Sequence, residues 1–400
     1  MNENNTETAN RLFDHIKKLE SYCSKQNYRG YSLYDSHNSV IPFEKFGHWI
    51  SFLTNQVVKR SPINLRRLLG VKKGINPKGM GLLLHSYSLL IESETVDIPQ
   101  IENKAKEIFQ WLYDHRSEGY SGACWGYNYD WPRSDRSIFH AFTPSVVVTA
   151  FIARGLMAYY RVSRDERVKE LIKSATSFVK NDVHCTTFEG HSRCYSYTPV
   201  QRDLVINANL LAAEILAYDD ELSDTQEHLP IVKEVLQYTL NTQNEDGSWY
   251  YSHSPDTGKP KKQIDFHQGY VIDSIDILTK IYNLSDGNYQ EAIKNGLSYY
   301  REKQFHTDGY AYWRIPKVYP VDIHNQSQGI ISLARFRAIE KQNLGQSLNV
   351  YKWTIQNMRA TSGRFYYQKY AWFTNRTDYF RWNQCWMLLA MVKLYLALKQ

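Results

Sequence analysis

Twice the chain places an aspartate, a large apolar residue, a histidine and an amide in a row: DFHQG from Asp265 and DIHNQSQG from Asp322. An imidazole can take or give a proton near neutral pH, and an amide beside it can hold a substrate oxygen. The carboxylate two residues earlier can act as an acid or base. It can equally serve the chain itself, by accepting N–H groups from a helix's first turn. Asp265 precedes Gln268 by three residues, an Asp-containing variant of the capping box, and Asp322 also leads into an apolar helical run. Capping is the commoner use, and it leaves the histidine two residues on in the first turn, where it can face a cavity. His267 and His324 are therefore the chemical candidates, with His140 as a third imidazole ahead of another apolar run.

Those runs recur. Apolar helical stretches with polar starts occupy 76–90, 143–160, 205–218, 265–282, 322–336 and 381–398, a repeat of roughly sixty residues. Between them lie segments such as IENKAKEIFQWLYDH and HLPIVKEVLQYTLNTQ, whose apolar residues return every three or four positions with Lys and Glu between. Apolar inner helices thus alternate with amphipathic outer ones. The expectation is an all-α chain, one (α/α)6 toroid of six helical hairpins spanning 1–400, with a basic lobe at about 44–78. After most outer helices comes a Gly-aromatic turn, as in SGACWGYNYDW, NEDGSWYY, HTDGYAYW and TSGRFYYQKY.

Uniform connectivity would bring all inner-helix starts to one face, a funnel carrying the partial positive charge of helix N-termini. The residues at those starts include Lys78, Asn207, Gln268, Asn325, Gln328, Arg381, Trp382 and Asn383. The aromatic turns add Trp125, Tyr127, Asp130, Trp131, Arg133, Tyr197 and Tyr312 to the rim. Tyrosine is abundant throughout: 31 Tyr and 10 Trp supply faces on which sugar rings stack.

The net charge of +7 favours an anionic partner but falls far short of a nucleic-acid arm. VKRSPINLRRLLGVKKGINPKG carries seven basic residues and no acid, and the preceding FGHWISFLTNQVV is apolar and aromatic, so 44–78 is also a candidate membrane-surface contact. The first residues show no apolar signal core, and no uncharged apolar run reaches the roughly 18 residues of a membrane span. An odd count of five cysteines fits a reducing compartment, which makes the cytoplasm the expected location. His184, Cys185, His191 and Cys194 have ligand chemistry but no zinc spacing, so neither metal nor cofactor is expected. There is no phosphate-binding glycine loop, dinucleotide fingerprint or GxSxG elbow.

QNEDGSW at 243–249 matches the Gln-x-x-x-Gly-x-Trp repeat of squalene cyclases and prenyltransferase β-subunits, a marker of toroids rather than of terpene chemistry. The Asp-x-Asp-Asp acid motif of protonating cyclases is absent, and DDELSD at 219–224 should fall at the end away from the funnel. The six-hairpin rhythm resembles the α/α-toroid carbohydrate enzymes: six-hairpin glycosidases, toroidal polysaccharide lyases and glucuronyl C5-epimerases. KRSPIN, NPKGMGL, SGACWGYNYDW, FTPSVVVTAF and YPVDIHNQSQ look like a bacterial group of surface-polysaccharide clusters. The resemblance implies a glycan substrate, acidic or lipid-linked, and leaves the reaction open.

Two reactions compete. A glycosidase needs two carboxyl groups, roughly 5–5.5 Å apart for retention or 6.5–9.5 Å for inversion. Asp265 and Asp322 on neighbouring helices, roughly 8–10 Å apart, would suit inversion. A lyase or C5-epimerase must remove the proton beside a uronate carboxylate, which calls for a base and for groups that neutralise the carboxylate. His267 or His324 as base or acid, Tyr127 as counterpart, and Arg381 with the amides as carboxylate binders meet that need better. A non-catalytic glycan-binding scaffold is the third reading.

Overall fold

The computed structural model describes residues 3–94, 98–132 and 138–400. Along them run α1 (Glu3–Lys25), α2 (His48–Arg60), α3 (Pro77–Glu92), α4 (Ile101–Asp114), α5 (Val146–Ser163), α6 (Arg167–Asn181) and α7 (Ile206–Ser223). They continue as α8 (Leu229–Asn241), α9 (His267–Ile281), α10 (Gly287–Lys303), α11 (Ile323–Arg335), α12 (Lys341–Met358) and α13 (Trp386–Lys399). Helices α3, α5, α7, α9, α11 and α13 pack each against the next, and α13 returns to α3, so the inner ring closes. Helices α4, α6, α8, α10 and α12 cover its outside, and α1 completes the outer layer against α13. This is the expected (α/α)6 toroid.

Burial follows from sequence. Every residue of α7 from Ile206 to Tyr218 is buried, as suits a helix enclosed on all sides, whereas α4 buries one stripe of Ile101, Ala105, Ile108, Phe109 and Leu112. Starts are fixed by caps. Asn76 Oδ1 accepts the Gly79 N–H ahead of Pro77, and Ser145 Oγ accepts the Val148 N–H. Asp322 does the same for α11, accepting the His324 N–H at 2.9 Å. Helices α3 and α5 meet through glycine: a Cβ on Gly155 would lie 2.4 Å from the Gly81 carbonyl oxygen. Gly155→Ala is expected to cost about 1–3 kcal/mol, because that neighbour is backbone in a packed helix. Denaturant unfolding measures it, and an unchanged midpoint would show that the helices part freely.

The Gly-aromatic turns are tied down by a repeated clamp. At five of the six inner helices one polar side chain grips the extended segment outside it. Thr149 accepts the Trp125 N–H, Asn209 the Tyr195 N–H, Gln268 the Trp249 N–H and Gln384 the Phe365 N–H, while Gln326 donates to the Ala311 carbonyl. The turn tryptophans hook the preceding outer helices: Trp125 Nε1 donates to the Leu112 carbonyl and Trp249 Nε1 to that of Thr239. Gln243 of the QNEDGSW stretch donates to the Gly247 and Ala292 carbonyls. The motif therefore welds turn, outer helix and inner helix into one rim.

Helix α5 is, by length and composition, the one described helix that could cross a membrane, and it lies buried in the inner ring. His184, Cys185, His191 and Cys194 fall on or beside a hairpin, Cys185–Phe188 with Ser192–Tyr195. No group of three His, Cys, Asp or Glu side chains among the described residues is arranged to hold a metal.

Candidate functional site

The inner-helix starts do converge. A cavity of about 550 Å³ is lined by Lys78 of α3, Val147 of α5, Asn207 of α7, His267 and Tyr270 of α9, His324 and Asn325 of α11, and Arg381 and Trp382. The last two come from a π-helical stretch, Phe380–Cys385, that runs straight into α13 and turns Arg381 and Trp382 toward the cavity, a use such irregular turns often have. Tyr127, Trp131, Tyr197, Tyr251 and Trp313 bring the aromatic turns to the wall. Tyr34, Lys59 and Arg60 reach it from the N-terminal lobe.

His267 is held by a carboxylate. Asp265 Oδ1 lies 2.6 Å from its Nδ1, and the ring sits against Phe266 and Tyr251. A carboxylate at Nδ1 fixes that nitrogen as the N–H and leaves Nε2 as the acceptor, in the manner of an oriented general base. Burial opposes the Asp265 charge, but His267, the hydrogen bonds it makes and Arg314 together hold the pKa below the ordinary carboxylate value. Gln263 Nε2 donates to the other oxygen at 2.8 Å.

His324 is a different kind of imidazole. Its Nε2 lies 2.6 Å from the Tyr270 hydroxyl, its ring stacks on Trp382 at 4.2 Å, and it is almost fully buried. Burial, reinforced by neighbouring Lys78 and Arg381, drives its pKa well below the usual histidine value. Burial also lifts the Tyr270 pKa. The pair is thus neutral at physiological pH. Asp322 is committed to the scaffold: it takes N–H groups from His324, Gln368 and Trp382, and burial raises its pKa despite them.

The cavity floor holds two buried basic side chains. The Lys78 ammonium lies 4.0 Å from the centre of the Phe151 ring, with Trp386 and Tyr270 beyond, and Arg381 lies over Tyr127 and Trp382. Neither forms an ion pair with a carboxylate among the described residues. Burial pushes the Lys78 pKa well below that of an ordinary lysine, with Arg381 and Arg154 adding repulsion. Around the whole wall, Lys59, Arg60, Lys78, Lys261, Arg314 and Arg381 face only two carboxyl groups, Asp265 and Asp322.

Of the residues the sequence nominates, His267, His324, Tyr127, Asp265, Asp322, Trp131, Tyr197, Asn207, Asn325, Arg381 and Trp382 share this cavity. Others lie outside its wall. Trp125 and Gln268 belong to the clamp, and Asn383 donates to the Phe365 and Thr377 carbonyls, so these three hold backbone rather than substrate. Gln328 points between α9 and α11, donating to Asp273 and Ser332. Asp130 accepts the Ala141 N–H, and His140 is a mostly exposed ring 3.8 Å from that carboxylate. Tyr312 packs beside His306 and Tyr310. Arg133 lies outside the described residues. Asn325 lines the cavity, yet its amide donates to the Tyr312 and Trp313 carbonyls. Sequence reasoning placed Lys78 at the rim without a role and missed Tyr270, Gln263 and Arg314. Only Tyr270 carried a signal, one helical turn beyond His267 on the same face.

A second cavity, about 560 Å³, opens at the far end and is lined by His85, Arg154, Tyr218, Arg335 and Lys393. There the cations are largely matched: Arg154 pairs with Glu214 and Arg335 with Asp276. Asp220 of the DDELSD stretch, near the end of α7, accepts the Tyr282 hydroxyl and the His228 N–H.

No family model matches the chain, and no curated protein is similar to it in sequence. Solved structures share its fold. A cellobiose 2-epimerase from Bacillus thermoamylovorans superposes with a TM-score of 0.63 at 12% identity, over 82% of this chain and 90% of that one. An unsaturated glucuronyl hydrolase specific for heparin gives 0.60 at 12% identity, over 98% and 97%. A family 76 glycoside hydrolase from a bovine Bacteroides thetaiotaomicron strain gives 0.61 at 13%, over 96% and 77%. The protein is a six-hairpin α/α toroid, an architecture it shares with these carbohydrate enzymes.

Proposed function

We propose that this protein is an enzyme of acidic glycans, acting by proton abstraction beside a uronate carboxylate in the manner of a lyase or C5-epimerase. The observation that carries the reading is the buried pair Lys78 and Arg381, basic side chains with no carboxylate partner among the described residues, on the floor of a cavity whose wall is rich in Lys and Arg. Burying uncompensated charge is costly, and a substrate carboxylate is the group that offsets it. With the carboxylate seated there, His267 Nε2 removes the neighbouring C–H proton, Asp265 holds the imidazole in the required tautomer, and Arg381 stabilises the charge that moves onto the carboxylate. Tyr127, under the Arg381 guanidinium, supplies the proton, either to the departing glycosidic oxygen or to the opposite face of the carbanion. The wall's aromatic rings, Trp131, Tyr197 and Trp313, are suited to stacking on flanking sugars.

Hydrolysis by Asp265 and Asp322 is less well supported, because both carboxylates already spend their lone pairs on His267, Gln263, His324, Gln368 and Trp382. The structural neighbours' names agree with carbohydrate chemistry, one of them acts on heparin, and three are described as epimerases. The test is incubation with a panel of uronate-containing oligosaccharides in deuterated water. Ultraviolet absorbance of an unsaturated uronate, or deuterium in an epimerised product, is the expected outcome. New reducing ends with neither would replace this reading with hydrolysis, and binding without any change would make the protein a scaffold.

A further inference from the structure

Helix α2 is built inside out. The residues it turns toward the body of the protein are Ser51, Asn55 and Val58, and the Asn55 amide donates to the Tyr34 carbonyl. The residues it turns to solvent are Trp49, Ile50, Leu53 and Val57, at the spacing of one helical face, with Phe46 just before them. Leu53 and Val57 are 57% and 60% exposed, far more than packing against this fold would allow. Leu68, on the segment that follows, is 81% exposed. The apolar face is set in positive charge. No acidic residue occurs between Glu44 and Glu92, and Lys45, Arg60, Arg67, Lys72 and Lys73 are all exposed. Arg66 is the exception, buried on Asp35 at 2.6 Å with its guanidinium over the Tyr379 ring.

We infer that this face docks on an anionic lipid bilayer. A helix that presents Trp, Ile, Leu and Val outward, framed by Lys and Arg, matches the two-part chemistry of such a surface: acyl chains for the apolar stripe, headgroup phosphates for the cations. A soluble protein partner would have to offer an apolar groove and a surplus of acid together; the bilayer offers both everywhere. The lobe also joins the funnel. Lys59 donates to the Tyr34 hydroxyl at 2.6 Å, Lys59 and Arg60 line the cavity, and Trp131 stacks on Tyr34 at 4.8 Å. Beyond the end of α2, the Asn375 amide donates to the Ser61 carbonyl and so ties on a loop whose Trp372 is 80% exposed, a second interfacial anchor. Docked through this lobe, the funnel would open beside the headgroups, where a sugar carried on a lipid phosphate can enter. That last step rests on the reading of the funnel given above; the docking itself does not.

Sedimentation with vesicles separates the two. The full chain is expected to pellet with phosphatidylglycerol-containing vesicles, to stay in solution with pure phosphatidylcholine, and to be released by salt. The double substitution Trp49→Ser and Leu53→Ser is expected to weaken the association about tenfold or more while leaving the thermal midpoint unchanged, since both side chains are solvent-facing. Failure of the unaltered protein to pellet with any vesicle, or undiminished binding by the double variant, overturns the proposal. So does an unaltered protein that is a dimer in solution and becomes a monomer on the same substitutions, because the face would then belong to a second copy.

Discussion

Replacing His267 with alanine is expected to lower turnover of an acidic glycan by about 10²–10⁴-fold, the usual contribution of a positioned general base, with saccharide affinity essentially retained. Affinity should survive because the cationic floor is assembled from α3 and the turn before α13, not from α9. Folding should survive because His267 stands at the first position of its helix, partly exposed, and Asp265 still has the residue's backbone N–H to accept. Asp265→Asn gives the companion measurement. The asparagine retains a polar contact at Nδ1 but removes the charge that steadies the imidazolium formed in the reaction, so kcat should fall while KM is essentially retained. A merely structural Asp265 would show its loss in the thermal midpoint as well as in turnover. If His267→Ala turns over normally, the base lies elsewhere and His324, buried and paired with Tyr270, is the next to test.

Lys78→Met should separate function from stability in opposite directions. Methionine nearly matches the length of the lysine stem and packs well against Phe151, Tyr270 and Trp386. Cation–π attraction contributes roughly 0.5–2 kcal/mol, less than dehydrating an ammonium costs, so replacement by an apolar side chain is expected to stabilise the fold by about 1 kcal/mol or more. The sign with pH follows from the depressed pKa of Lys78. The unfolded lysine holds its proton more tightly than the buried one, so stability rises with pH up to the unfolded lysine value and is lost as pH falls through the lowered folded one. Lys78→Met should remove that slope. Binding should suffer instead, by about 2–5 kcal/mol, because the substrate carboxylate loses a buried partner. Calorimetric titration with a uronate oligosaccharide and thermal melts across pH measure both. A variant that binds as tightly as the parent would mean that the floor does not seat an anion.

How much of this was legible beforehand differs from residue to residue. The ring was readable because helix periodicity and roughly sixty-residue spacing are local and repeated six times. The double role of the Asp-x-His stretches was readable too, since capping fixes where the next turn of side chains must lie. For Asp322 the cap is fully formed, while Asp265 combines backbone acceptance with the imidazole contact. The amides were not readable. Gln268, Gln328 and Asn383 sit at the helix starts, but a sequence carries no record of which way a first-turn side chain points, and all three turn to the protein's own backbone or to neighbouring helices. Lys78 was hidden for the opposite reason. In sequence it ends a basic run, and only Phe151, Tyr270 and Trp386, from three other helices, convert it from a surface charge into a buried one.

The outer layer is closed by α1 lying on α13, so one of the six hairpins is made from segments at opposite ends of the ring. The apolar stripe of α1, with Leu12, Ile16 and Leu19 fully enclosed in the finished fold, lies on the helix farthest from it in the chain. The five contiguous hairpins can form in order as they emerge, but the circle is sealed by its latest member, which also carries Trp386 into the floor beneath Lys78. Assembly of the pocket and completion of the ring are therefore one event, and a ribosome stalled before α13 would hold a horseshoe with neither.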